Sequence, residues 1–157
     1  MAFPNGCAKA IAPSCPAAFR RSKAATRICQ AAALRVRHIV VLGHGRCGGV
    51  RAWVDDSEPL SPGDFIGKWM TLIEPAAQRA GPRGTTPIGD YIEKLALISI
   101  AQSLDNLMSF PCVSTLVGRG KVQLHGAYFD VTTGVLSVRD PHTGLFTQAE
   151  PEARARV

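Results

Sequence analysis

No stretch of the 157-residue chain approaches the ~20 consecutive apolar residues that a membrane-spanning helix needs, so the sequence predicts no membrane span. Acidic residues are missing altogether from residues 1–37, which hold seven basic ones (Lys9, Arg20, Arg21, Lys23, Arg27, Arg35 and Arg37). The formal charge of +6 therefore belongs to that segment, and the rest of the chain, with 11 basic and 12 acidic residues, is close to neutral. A nucleic-acid-binding surface needs Lys and Arg clustered on the folded part, so this distribution argues against a nucleic-acid partner. The cysteines lack pattern. Cys7, Cys15, Cys29, Cys47 and Cys112 are odd in number and irregularly spaced, with no secretory apolar segment upstream. That argues against a disulfide framework and points to reduced thiols in a cytosol-like compartment. No internal repeat is evident.

What is present falls into three parts. Residues 1–32 are rich in Ala, Arg and Ser and interrupted by Pro4, Pro13 and Pro16. That composition fits an organelle transit peptide, a disordered basic arm or a stretch foreign to the domain. Residues 33–148 have the texture of a folded domain, and 149–157 read as a tail. Within the domain, "HIVVLG" is a β-branched run without alternation, which predicts a strand buried on both faces, as in a parallel sheet. Cys47 to Val54 reads as a first helix, ended by the connector "DDSEPLSPGD". A second helix is expected over 65–80, capped by Ser61 or Asp64, with Phe65, Trp69, Leu72, Ile73 and Ala76 at helical spacing. The third, over 88–110, is the longest; Tyr91, Leu95, Ile98, Leu104, Leu107 and Met108 supply its apolar stripe and Pro111 stops it. "CVSTLVGRG" predicts a short helix closed by Gly118 or Gly120, and residues 121–140 predict two strands around Thr132-Thr133-Gly134. The element order implies an α/β or α+β fold.

The segment "HIVVLGHGRCGGV", residues 38–50, allows two readings. Gly43, Gly45 and Gly48 match the dinucleotide-binding pattern G-x-G-x-x-G, which also requires an acidic residue ending a second strand about 20 positions on. The candidates between Asp55 and Asp64 lie in a Pro-rich connector, so that reading fails. The second reading is a metal site. His44 at a strand end and Cys47 at a helix start both lie at the carboxyl edge of a sheet, and a helix N-terminus favours the thiolate that zinc requires. Spacing alone leaves this open, because isolated H-x-x-C is common. His38 and His125 read as core or hydrogen-bonded histidines, His142 as exposed, Cys112 as a small buried residue and Tyr128 as a packed strand residue.

Three blocks, "HIVVLGHGRCGG", "SLDNLMSFPCV" and "GKVQLHGAYFDVTTGVL", occur in the order in which the C-terminal part of a β-class carbonic anhydrase has them, and the chain resembles that family over about residues 33–148. Gly45 departs from it; many members have Ser there. The resemblance implies a parallel sheet with flanking helices and a C-terminal hairpin. It also implies a zinc ion held by two Cys and one His, with water or an Asp in the fourth position, and the reversible hydration of carbon dioxide to bicarbonate. Zinc suits that chemistry because it lowers the pKa of a bound water to about 7. His44 and Cys47 match two of the three ligands, and the resemblance identifies no further catalytic or cofactor-binding residue.

The family's earlier Cys-x-Asp-x-Arg motif has no counterpart, since Cys7, Cys15 and Cys29 are followed by other residues. Two protein ligands are one short of a catalytic zinc site, so zinc affinity is expected to fall unless an upstream Cys or another chain completes it. The expected sheet also lacks its first strands, which would leave the strand at Ile39 to Leu42 with an unpaired edge and an uncovered face. The change of texture near residue 33 suggests that residues 1–32 replace the genuine N-terminal half, as truncation or a frameshift would cause. The expectations are a carbonate dehydratase by descent or, as the alternative, an inactive remnant acting at most as an interaction module. Self-association is expected from the apolar helix over 88–110. The expected location is cytoplasmic, or an organelle if residues 1–32 are a transit peptide.

Overall fold

A computed structural model describes residues 36–55 and 72–149. In chain order the elements are β1 (His38–His44), α1 (Gly48–Val54), α2 (Glu74–Ala80), α3 (Ile88–Met108), α4 (Pro111–Gly118), β2 (Gln123–Phe129), β3 (Leu136–Arg139) and β4 (Phe146–Gln148). The strands form one sheet in the order β1-β2-β3-β4. β1 and β2 are parallel, with His38 opposite Gln123 and His44 opposite Phe129, and the later pairs are antiparallel. The expected α/β architecture is thus present, with a parallel start and a meander at its end.

The strand β1 differs from its expectation in one respect. Val41 and Gly43 are buried against α3, but Val40 and Leu42 are 52% and 51% exposed, so its apolar run is covered on one face only. Among the described residues β1 is also the outer strand.

Helix α3 supplies most of the core. Leu95 and Ile100 are fully buried and Tyr91, Ile92 and Ala96 nearly so, while Ile98, Leu104 and Leu107 are partly covered and Met108, at the helix end, is exposed. Burying a side chain the size of Ile100 contributes about 1.5–3 kcal/mol. The helix lies close to the sheet because two strand glycines admit it. A Cβ on Gly43 would meet Ile100 Cδ1 at 2.7 Å, and one on Gly126 would meet Ile100 Cγ2 at 3.0 Å and Leu104 Cδ1 at 3.2 Å. Three polar residues are buried as well: Gln102 donates to Asn106 Oδ1 at 3.0 Å, and Ser103 to the Ser99 carbonyl at 2.8 Å.

Two expectations are corrected. Leu72 and Ile73 lie in a turn, and α2 starts only at Glu74 with Pro75 in its first turn. Proline has no amide hydrogen to continue a helix and is tolerated where that hydrogen has no partner, so Pro75 begins a helix. Residues 65–71 and the caps expected at Ser61 and Asp64 lie outside the described residues. The second correction is a repeat. Asp130-Val131-Thr132-Thr133-Gly134 recurs ten residues later as Asp140-Pro141-His142-Thr143-Gly144, and each builds the same turn. The aspartate accepts backbone N–H groups of its own loop (Asp130 from Thr132; Asp140 from His142 and Thr143), while Gly134 and Gly144 adopt φ of 73° and 76°. That left-handed conformation is the one glycine adopts without cost. The second turn adds β4 to the expected hairpin.

Candidate metal centre

Parallel pairing with β2 carries β1 to its carboxyl end at His44, and the Gly45 N–H donates to the Phe129 carbonyl at 2.8 Å, one residue beyond the strand. The chain then turns at Arg46, which has φ 54°, the single left-handed non-glycine residue among those described. This sharp reversal delivers Cys47 to the head of α1, where its carbonyl accepts the Arg51 N–H at 3.0 Å. Cys47 is 4% exposed and His44 is half-buried.

The His44 ring is held by its own turn. Nδ1 lies 2.9 Å from the Gly45 carbonyl oxygen. A carbonyl can only accept, so Nδ1 carries a proton, and in the neutral ring the lone pair is then on Nε2. A histidine that binds a metal is commonly oriented by such a bond on its other nitrogen.

Gly45 sits beneath two side chains from the end of β2. A Cβ there would lie 3.1 Å from Tyr128 Oη and 3.3 Å from Asp130 Oδ1, a tight fit in which those side chains would have to give by a few tenths of an ångström. Tyr128 is buried, and its hydroxyl pKa is pushed up to about 12 by burial first and then by the charges of Glu93 and Asp130. It therefore remains a neutral phenol. The Asp130 carboxyl is held below its ordinary pKa, chiefly by the hydrogen bond from Thr133 Oγ1 at 2.7 Å and then by the Thr132 N–H. Sequence reasoning treated Tyr128 as a packed strand residue. It is that, and its hydroxyl also stands over the turn between the two metal-ligand candidates. The signal for it was the register, Gly43 opposite Tyr128, which no local pattern reveals.

The three glycines of the G-x-G-x-x-G pattern thus have structural uses. Gly43 makes room for Ile100 and Gly45 for Tyr128, while Gly48 opens α1 with nothing within 4 Å of its missing Cβ. The remaining candidates lie elsewhere. His38 and His125 bond to each other, with Nδ1 and Nε2 3.0 Å apart, and His142 is exposed in the second turn. Cys112 is partly buried in the first turn of α4.

Zinc fits the donors that are present: an imidazole with a defined lone-pair nitrogen and a buried thiol, three residues apart around a tight turn. A third donor does not join them, since no group of three or more His, Cys, Asp or Glu residues among the described residues is placed to hold a metal ion.

Comparison with known proteins agrees with the fold. The family described as carbonic anhydrase matches residues 9–136, a range that takes in part of the acid-free segment as well as β1 through Leu136. Beta carbonic anhydrase 5, chloroplastic, of Arabidopsis thaliana is 29% identical over 98 residues, which cover 62% of this chain and 33% of that protein. Carbonic anhydrase 1 of Escherichia coli O157:H7 is 25% identical over 115 residues, covering 73% and 52%. Among solved structures, the β-carbonic anhydrase CcaA matches with a TM-score of 0.72 at 21% identity, over 81% of this chain and 62% of that one. A tetrameric β-carbonic anhydrase from Sordaria macrospora matches with a TM-score of 0.64 at 20% identity, over 88% and 65%. The chain spans between a third and about half of the length of the curated relatives it matches. On the family match and the shared fold, this chain belongs to the carbonic anhydrases, as a β-class domain.

Proposed function

We propose that His44, through Nε2, and Cys47, through Sγ, are two protein ligands of a catalytic zinc ion, and that the completed site interconverts carbon dioxide and bicarbonate. The observation that carries this is the tight turn that places the buried Cys47 three residues after His44 at the carboxyl end of β1, with the His44 ring oriented by its Nδ1–H bond to the Gly45 carbonyl. When bound, zinc supplies a Lewis acid that lowers the pKa of water to about 7. The chain's own residues do the rest: Gly45 holds the His44 tautomer, burial keeps Cys47 from bulk water, and Tyr128 stays a neutral hydroxyl beside the turn. The third ligand comes from outside the described residues or from a second chain. The test is zinc content and carbon dioxide hydration of the purified full chain, alone and as His44→Ala and Cys47→Ser. Stoichiometric zinc that is lost in both variants together with hydration supports the reading; zinc content unchanged in either variant removes that residue from the site.

A second reading is favoured by the absence of a third donor among the described residues. On it the chain is a non-catalytic module of the same fold that self-associates through the apolar face of the sheet. Val40, Leu42, Phe129 and Leu136 all remain well exposed there, whereas the stripe of α3, once expected to drive association, is largely covered. Fractional zinc, no hydration above background and a concentration-dependent mass in ultracentrifugation would select this reading.

A further inference from the structure

β1 and β2 run parallel, so their amino ends lie side by side, at the end of the sheet away from His44. There His38 and His125 meet. Val40 is the register partner of His125, so by strand alternation His38, Val40 and His125 share the open face of the sheet. The rings are 5.2 Å apart between centroids and tilted by 39°, with His38 Nδ1 3.0 Å from His125 Nε2. With neutral rings, one of these nitrogens donates its proton to the other. His44 is six positions after His38, and at a strand rise of ~3.3 Å per residue His38 lies about 20 Å along β1 from the candidate zinc ligands.

We propose that His38 and His125 form a second metal site, a two-imidazole clamp for a late first-row divalent ion that prefers ligand angles near a right angle, of the Ni2+ or Cu2+ class. Two nitrogens 3.0 Å apart, each ~2.05 Å from a shared ion, subtend an angle of about 94° at that ion. A tetrahedral ion such as zinc wants about 109°, which needs the nitrogens roughly 3.3 Å apart. The observed separation suits square-planar or octahedral ions, and water fills their remaining positions. Binding requires both facing nitrogens to present lone pairs. The ring that carries the facing proton releases it and takes one up on its outward nitrogen, so a neutral pair loses no net proton. Arg37, next to His38, and Lys121, just before β2, make the neighbourhood basic. The ion is therefore held by the two nitrogens and not by charge attraction. Bound there, it ties the outer strand β1 to β2 from the end opposite His44.

The site is tested with Ni2+ on the full chain. In the wild type, paramagnetic Ni2+ broadens the ring resonances of His38 and His125 before those of His142, a readout that needs no variant to fold. By calorimetry, Cys47→Ser, which removes a donor from the other site, keeps one equivalent of Ni2+ and binds it at least tenfold more tightly than zinc. Adding either His38→Ala or His125→Ala to that background, with folding checked by circular dichroism, abolishes the equivalent, and His142→Ala does not. Binding that survives either single substitution, broadening that starts at another histidine, or no saturable Ni2+ binding overturns the site. Zinc bound as tightly as Ni2+ overturns the geometric argument.

Discussion

Along β1, residues 39, 41 and 43 face α3 and residues 38, 40, 42 and 44 face away, and the two sets have different surroundings. Val41 and Gly43 are buried under a helix that a glycine admits to within contact of Ile100, while Val40 and Leu42, equally apolar, are half exposed. One strand therefore carries a close-packed face, where small changes in volume are costly, and an apolar face whose side chains stabilise little among the described residues. Both histidines of β1, His38 and His44, which are proposed metal ligands, alternate onto the open side. The closed side gives the strand its place, and the open side carries its histidines.

The contrast is broken most directly at the core. Ile100→Ala should lower the unfolding free energy by about 2–5 kcal/mol, whereas Leu42→Ser should change it by no more than ~0.5 kcal/mol, both read from urea titrations. Equal costs would mean that the open face is covered in solution. Gly43→Ala comes next, at about 1–3 kcal/mol, because its Cβ would lie 2.7 Å from Ile100 Cδ1. Its cost should shrink in an Ile100→Val background, which removes that atom, and an unchanged cost would rule out this contact as the cause.

Smaller effects follow from titration. The Tyr128 hydroxyl is pushed from 10.0 up to about 12. Its folded value lies above its unfolded one, so the stability it contributes is fully present below pH 10.0 and is lost as pH rises toward about 12. Tyr128→Phe should flatten that alkaline decline in thermal melts. The carboxyls of Asp130 and Asp140 are held below their ordinary value of 3.8, by hydrogen bonds led by Thr133 and Thr143 respectively. Their sign is opposite: the contribution is present above 3.8 and disappears as pH falls through the lower folded values. Asp130→Asn and Asp140→Asn should each remove part of the acid sensitivity, and this is the smallest effect because both groups are exposed to solvent.

Much of the fold was legible because its signals are local. The β-branched run "HIVVLG" marks β1, Pro111 ends the long helix, and Thr132-Thr133-Gly134 marks the first turn. Pro75 was an equally local signal that the helical spacing of Leu72 and Ile73 outweighed, wrongly, since a missing amide hydrogen cannot be compensated by an apolar stripe. The strand β4, three residues long, has too few positions to show alternation, and the repeat that builds it lies in the turn residues and not in the hydrophobic pattern. At the candidate site, spacing alone left His44 and Cys47 open, and it was the resemblance carried by blocks about 60 to 90 residues downstream that named them. Nothing near Gly45 in the chain announces Tyr128.

By itself, then, the sequence determined the type and order of most elements, because these depend on neighbours within a few residues. Tertiary structure decided which face of β1 is covered, that Tyr128 stands over Gly45, and that His38 lies 3.0 Å from a histidine 87 positions away. Those outcomes rest on the parallel register of β1 with β2, which is fixed only when α3 packs across both strands and one face of the sheet is excluded from water.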